Sequence, residues 1–255
     1  MAGASYKQRY VAFVDILAYR QFVLRLRANK RNVEAHRKML EKLHSPPNFG
    51  TFAGGKRADV RAQSISDAVA ISTEVSLEGF FHLSMSLDML TLDLLANTFS
   101  LGFFVRGALV KGHVYHDENM IFGEGLVRAV NLEAEVSRYP RILVERAVVR
   151  DYKKYRKKFS HVFEKTLRQA DDGPMYLHSL RFAEEMFKTE ERDFSELSLL
   201  KKQIERQFTE AMDNPHHFEK VQWFAKYWNS SIPDPDRFGL RIKGPGLDTE
   251  PARWS

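Results

Sequence analysis

The chain has 255 residues, 44% hydrophobic and 28% charged, with the balance of an ordinary globular protein and room for one large domain with an extension. It holds no cysteine, which excludes disulfides and thiolate metal sites and suits a reducing, cytoplasmic setting. The net charge of 39 − 33 = +6 favours polyanionic ligands without specifying nucleic acid. Residues 1–9 lack the apolar stretch of a secretory signal, and Phe80 to Val105 is broken by His82, Asp88, Asp93 and Asn97. It therefore reads as a buried helix and a strand, not a membrane span, and we expect a soluble protein with no membrane partner.

Tyr10 to Leu17 is β-branched and aromatic enough for a buried strand. Ala18 to about Leu43 has helical spacing, and the Pro- and Gly-containing run 44–56 is a loop. Residues 58–66 and 68–74 predict a hairpin with Asp67 near its tip, followed by a helix over 77–98. A strand over 103–115 and a short one near 120–122 flank the turn His116–Asn119. Glu124 to Val136 predicts a helix with Leu126, Ala129, Val130 and Ala134 inward, and Arg141 to Val144 a further strand. The order β-α-β-β-α-β-(β)-α-β is α+β, ferredoxin-like, with a split βαβ unit. A strand at Met175–Leu180, helices over 194–212 and 216–228, and an irregular tail from about 230 complete the chain. We expect a catalytic core over 6–165 and a helical extension over 166–255.

Asp15 closes the first strand, and Asp67 sits in the hairpin turn. A carboxylate beside a buried strand is costly without a partner. Each aspartate alone reads as a turn cap or the partner of an arginine. If they converge, they make an oxygen-rich site for Mg²⁺ or Mn²⁺, ions that also take phosphate oxygens. Ile16 to Tyr19 leads into a helix N-terminus, which offers N–H groups to phosphate. The run Tyr152-Lys153-Lys154-Tyr155-Arg156-Lys157-Lys158 reads as the solvated face of a helix with its tyrosines half-buried, although interleaved aromatics and bases also suit single strands. The histidines lack the convergent ligands that zinc requires.

Four segments, in order over about 130 residues, resemble the class III nucleotidyl cyclases. These are Phe13-Val14-Asp15-Ile16-Leu17-Ala18-Tyr19, Ser66-Asp67-Ala68, Arg106-Gly107-Ala108-Leu109-Val110-Lys111-Gly112, and Phe122-Gly123-Glu124 through Asn131-Leu132-Glu133. Together with Tyr139-Pro140-Arg141-Ile142, they look closest to the bacterial pyrimidine cyclases of anti-phage Pycsar systems. The resemblance implies conversion of UTP to 3′,5′-cyclic UMP and pyrophosphate, by a homodimer with composite active sites. It also implies a separate effector protein that responds to the messenger, and no nucleic-acid partner. Two Mn²⁺ or Mg²⁺ ions per site would be held by Asp15, Asp67 and the carbonyl of Ile16, with Ala18 standing where the family has Gly, and with Ala18 and Tyr19 beside the substrate.

The Asn and Arg that stabilise charge in purine cyclases correspond here to Val127 and Asn131, so Arg106, Arg128 and Arg141 are the substitutes. On the same resemblance, the family's base-reading positions correspond to Gln63 and Glu124. Other readings are a cytidylate cyclase acting on CTP, a degenerate nucleotide-sensing module, or a nucleic-acid-binding protein.

Overall fold

The computed structural model describes residues 5–17, 19, 23–24, 33–34, 36–38, 40–41, 57–96, 104–187 and 194–247. The helix expected over 18–43 and the loop over 44–56 therefore lie largely outside the described residues, as does Ala18.

The strand β1 (Lys7–Ile16) is the axis of the fold. Its Tyr10, Val11, Ala12 and Val14 are fully buried, because strands cover it on both edges and helices pack on both faces. On one edge lies β3 (Ala68–Glu74), which forms a hairpin with β2 (Arg61–Ile65); on the other lies β4 (Val105–His116). All three pairings in the order β2-β3-β1-β4 are antiparallel. β1 and β2 are thus parallel to each other with β3 inserted between them, which is the expected split βαβ arrangement. The sheet continues through β6 (Ile142–Val144), parallel to β4, then β8 (Met175–Leu177) and β7 (Leu167–Gln169). The two-residue β5 (Ile121–Phe122) pairs with the far end of β4.

Strand alternation sends Tyr10 to one face and Val11 to the other. On the first, Phe80 of α1 (Leu77–Leu95) packs against Tyr10 and against Tyr152 of α3 (Arg146–Lys158). The basic run is thus the outer side of α3, with Tyr152 buried, Tyr155 half-buried and the lysines exposed. The inner side is tied to the sheet by Asp151, which accepts from Tyr10 at 3.0 Å and from Lys111 at 2.7 Å. On the second face, α2 (Glu124–Val136) covers Val11, Val110 and Val114 with Ala129, while Leu126 packs at the edge. The close approach needs glycines on both sides, since a Cβ on Gly112 would lie 2.6 Å from the Cα of Gly125.

The expectation for this helix needs one correction. Ala134 is exposed and Glu133 is buried. The inward stripe runs through Leu126, Ala129, Val130 and Glu133, so helical spacing was right and the preference for an apolar residue misplaced its last member.

The chain forms two compact units, one of Met1–Leu94 with Phe104–Ser179 and the other of Leu95–Phe103 with Leu180–Ser255. The sheet thus continues past the expected core boundary at residue 165. A short α4 (Ser160–Phe163) follows α3 in the first unit. The second unit holds α5 (Arg181–Met186), α6 (Ser195–Ala211) and α7 (Pro215–Ser231). Asn214 caps α7 by accepting from the His217 N–H at 3.2 Å. Residues 232–247, after α7, form no helix or strand but are anchored: the Trp228 indole donates to the Leu240 carbonyl at 2.8 Å, and Leu240 and Ile242 are buried. Among the described residues no helix is long and apolar enough to cross a membrane.

Candidate active site

The register places Asp15, at the end of β1, opposite Arg106 on β4 and Ala68 on β3. Ala68 directly follows the two-residue turn Ser66–Asp67, whose Ser66 has a φ of 58°. Both aspartates therefore stand at the same end of the sheet. Burial pushes the Asp15 carboxyl up from its ordinary value, and repulsion by Asp67 pushes it further. Arg106 and the N–H of Ile16 pull the other way without reversing the shift.

Arg106 is shared between two acids. Its Nε lies 2.5 Å from Glu133 Oε1, whereas Nε and Nη2 are both 3.4 Å from Asp15 Oδ2. Glu133 is the closer ion-pair partner, while the hydrogen bonds of Arg106 are directed, at long range, to Asp15. Burial, opposed by Arg106 and reinforced by Asp15, leaves the Glu133 carboxyl above its ordinary range. Glu133 is the site residue that the role assignments missed, although the helical stripe points to it.

Tyr19 is drawn to the same end. Its phenol is raised first by burial and then by Asp67, and it shares a 3.0 Å hydrogen bond with His36 Nε2. Gln63 lies mid-strand on β2 opposite Ala70, and its buried Oε1 has no hydrogen-bond partner among the described residues.

Two expected residues, Glu124 and Arg128, stand elsewhere. Glu124 accepts from the His113 N–H at 3.2 Å, and Arg128 pairs with Glu145 and, at 3.9 Å, with Glu124. His113 is seven residues along β4 from Arg106, roughly 24 Å at ~3.4 Å per residue. Asn131, one turn from Val127 and Arg128, is exposed. Arg141 is fully engaged in structure: its side chain is 1% exposed and meets Asp172 in a two-pronged pair at 2.7 and 2.5 Å, with the guanidinium 5.4 Å from the Tyr139 ring centre.

Among the described residues, no three His, Asp or Glu side chains gather to hold a metal ion. The donors at the Asp15 end are two carboxylates that repel one another, with the main chain of Ile16 next to them. That set fits a hard divalent cation which keeps water or phosphate oxygens in its remaining positions. Arg106 reaches Asp15 only at 3.4 Å and lies closer to Glu133, so a cation at Asp15 competes with a long contact.

No family model matches the chain, and no curated protein matches it. Among solved structures it is similar to the monomeric guanylyl cyclase domain of the RhoGC fusion protein from the aquatic fungus Blastocladiella emersonii. That match has 13% identity over 68% of this chain and 96% of that one, with a TM-score of 0.38. A second is the catalytic core of a rhodopsin-guanylyl cyclase with converted specificity in complex with ATPalphaS, at 15% identity over 67% and 93% of the two chains, with a TM-score of 0.36. These values are too low for either protein to stand as a template for this chain.

Proposed function

We propose that the chain is a metal-dependent pyrimidine nucleotide cyclase that converts UTP to cyclic UMP and pyrophosphate. The observation that carries this reading is the convergence of Asp15 and Asp67 at one end of the sheet, where their repulsion raises Asp15. Mutually repelling carboxylates beside a buried strand are unfavourable by themselves and are relieved by a divalent cation. Asp15, Asp67 and the Ile16 carbonyl would hold Mg²⁺ or Mn²⁺. When bound, such ions supply charge to the triphosphate and lower the pKa of the attacking 3′-hydroxyl.

The protein's own groups then have defined tasks. Glu133 fixes Arg106 beside Asp15, so a guanidinium stands where negative charge builds on the phosphate. Gln63 offers a buried carbonyl oxygen to a base edge. Glu124 and Arg128, at the start of α2 beside the far end of β4, and Asn131 on the same helix would serve the partner's site in a homodimer with composite centres. The anti-phage role, and a separate effector that responds to the cyclic nucleotide, rest on the resemblance of the sequence motifs.

The test is turnover of ATP, GTP, CTP and UTP, each offered alone with Mn²⁺ and read by mass spectrometry. Cyclic UMP and pyrophosphate from UTP alone is the expected result. Cyclic CMP from CTP would correct the base, and no product from any of the four would reject the cyclase reading.

A further inference from the structure

A groove of about 910 Å³ runs between α2 and α3 in the first compact unit. Its floor is apolar, made by Val110, Leu143 and Val144 of the sheet, with Val149 from α3. Arg128 and Asn131 line it from α2, and Arg146, Arg150 and Lys153 from α3; its two acids, Glu145 and Asp172, are paired with Arg128 and Arg141. This volume is that of a small-molecule site, which ranges over roughly 300–1,000 Å³.

The three α3 cations that line the groove are the unusual element. They recur at i, i+4 and i+7, which puts them on one face of the helix, and all three are exposed. Among the described residues, none of the three makes an ion pair. Neighbouring cations do: Lys111 has Asp151, Arg128 has Glu145 and Arg141 has Asp172. Arg146 and Arg150 also lie in the first turns of α3, where the helix dipole disfavours positive charge, and that first turn carries no acid. The adjoining Glu145 does not cap the helix; its carboxylate is turned to Arg128 and to the N–H of Lys111. A merely solvated helix face needs neither an apolar floor nor unpaired arginines near the helix start, where the dipole disfavours them. An anion with an apolar ring matches both.

We propose that this groove holds a nucleotide, with its triphosphate on Arg146, Arg150 and Lys153 and its ring on the apolar floor. The choice of a nucleoside triphosphate as ligand rests on the cyclase reading; the position of the site rests on the groove. In a composite dimer, the cationic wall of one protomer would face the aspartate pair of the other across the same triphosphate. Together, the cationic wall and the metal ions that the aspartates would hold balance its charge.

The experiment measures binding of inorganic triphosphate, UTP and uridine by calorimetry, at low salt with chelator. The protein is the full chain carrying Asp15→Asn and Asp67→Asn, so that the aspartate pair cannot contribute through a metal. UTP and triphosphate should bind and uridine should not. Adding Arg146→Gln with Arg150→Gln, or Lys153→Gln alone, should weaken both by at least about tenfold, as expected for lost charge-assisted hydrogen bonds. All three positions are exposed, so melting curves should be unchanged. In the unaltered protein, triphosphate should also protect Lys153 from acetylation.

Affinities within twofold across the variants, or uridine binding as well as UTP, would overturn the proposal. So would an oligonucleotide that binds the same cations and is not displaced by UTP. Triphosphate binding that fails in these variants, in a protein that cyclises no nucleotide, would reject the cyclase reading alone. Cyclisation that proceeds unchanged in Arg146→Gln with Arg150→Gln would reject the groove alone.

Discussion

Replacing Glu133 tests the architecture of the candidate site most directly. Its carboxylate is 5% exposed and lies 2.5 Å from an Arg106 that is itself 28% exposed. Removing one member of a fully buried pair costs about 3–5 kcal/mol, because it strands the other charge. Arg106 is partly solvated and keeps Asp15 at 3.4 Å, so Glu133→Ala should cost less, roughly 2–3 kcal/mol. At roughly 2–4 °C per kcal/mol for a unit of this size, the melting temperature should fall by about 4–12 °C. Glu133→Gln should cost much less. Burial raises the Glu133 carboxyl, so the folded chain holds its proton more tightly than the unfolded chain does. This group's contribution to stability is therefore greatest at low pH and is lost as pH rises from the ordinary carboxyl range through the raised value. Glu133→Gln should flatten that part of the stability profile. It should also release Arg106 onto Asp15 and weaken Mn²⁺ binding. Urea denaturation of the single variants and of the double variant with Arg106→Gln measures the coupling. A coupling near zero, or Glu133→Ala as stable as the parent, would refute the assignment of Glu133 as the anchor of Arg106.

Asp15→Asn and Asp67→Asn should each abolish turnover, and each should remove the thermal stabilisation by Mn²⁺. In the parent that stabilisation reaches about 2.7 kcal/mol at one hundred times the dissociation constant, and its persistence in either variant would reject the pair as ligands. Because the Asp15 carboxyl is raised by burial and by Asp67, the cation competes with a proton there; titrations should show Mn²⁺ affinity falling as pH is lowered, well before ordinary carboxylates protonate. Gly112→Ala places a methyl 2.6 Å from the Gly125 Cα, so α2 must lift from β4, and calorimetric melting should show a loss of roughly 1–3 kcal/mol. Asp172→Asn should lower stability at neutral pH by about 1–2 kcal/mol. Arg141 holds that carboxyl below its ordinary range, so the contribution is present above the ordinary value and fades as acid carries the pH down through the depressed one, a fade that melting at graded pH should no longer show in the variant.

What the sequence disclosed depended on whether a residue's role is set locally or by a distant partner. Asp15 and Asp67 were legible because each ends or interrupts an apolar run, and strand alternation with a tight turn fixes where such residues go. The hairpin, the span of α2 and the split βαβ order follow from the same local periodicities. Glu133 was half legible: its position on the inward stripe is a local fact, whereas its reason for being there is Arg106, twenty-seven residues earlier. Arg141 was read as a candidate catalytic cation, yet the acid it pairs with, Asp172, lies in the turn between two three-residue strands, only one of which was foreseen.

The groove shows the same limit from the other side. The sequence presents Tyr152 to Lys158 as the basic run, but Arg146 and Arg150, which precede it, and Lys153, within it, are the residues that line the cavity. Density of charge along a chain says little about binding. The face on which the charges recur, and the engagement of the groove's acids Glu145 and Asp172 by other arginines, says more, and both become visible only when α2, β4 and α3 are placed together.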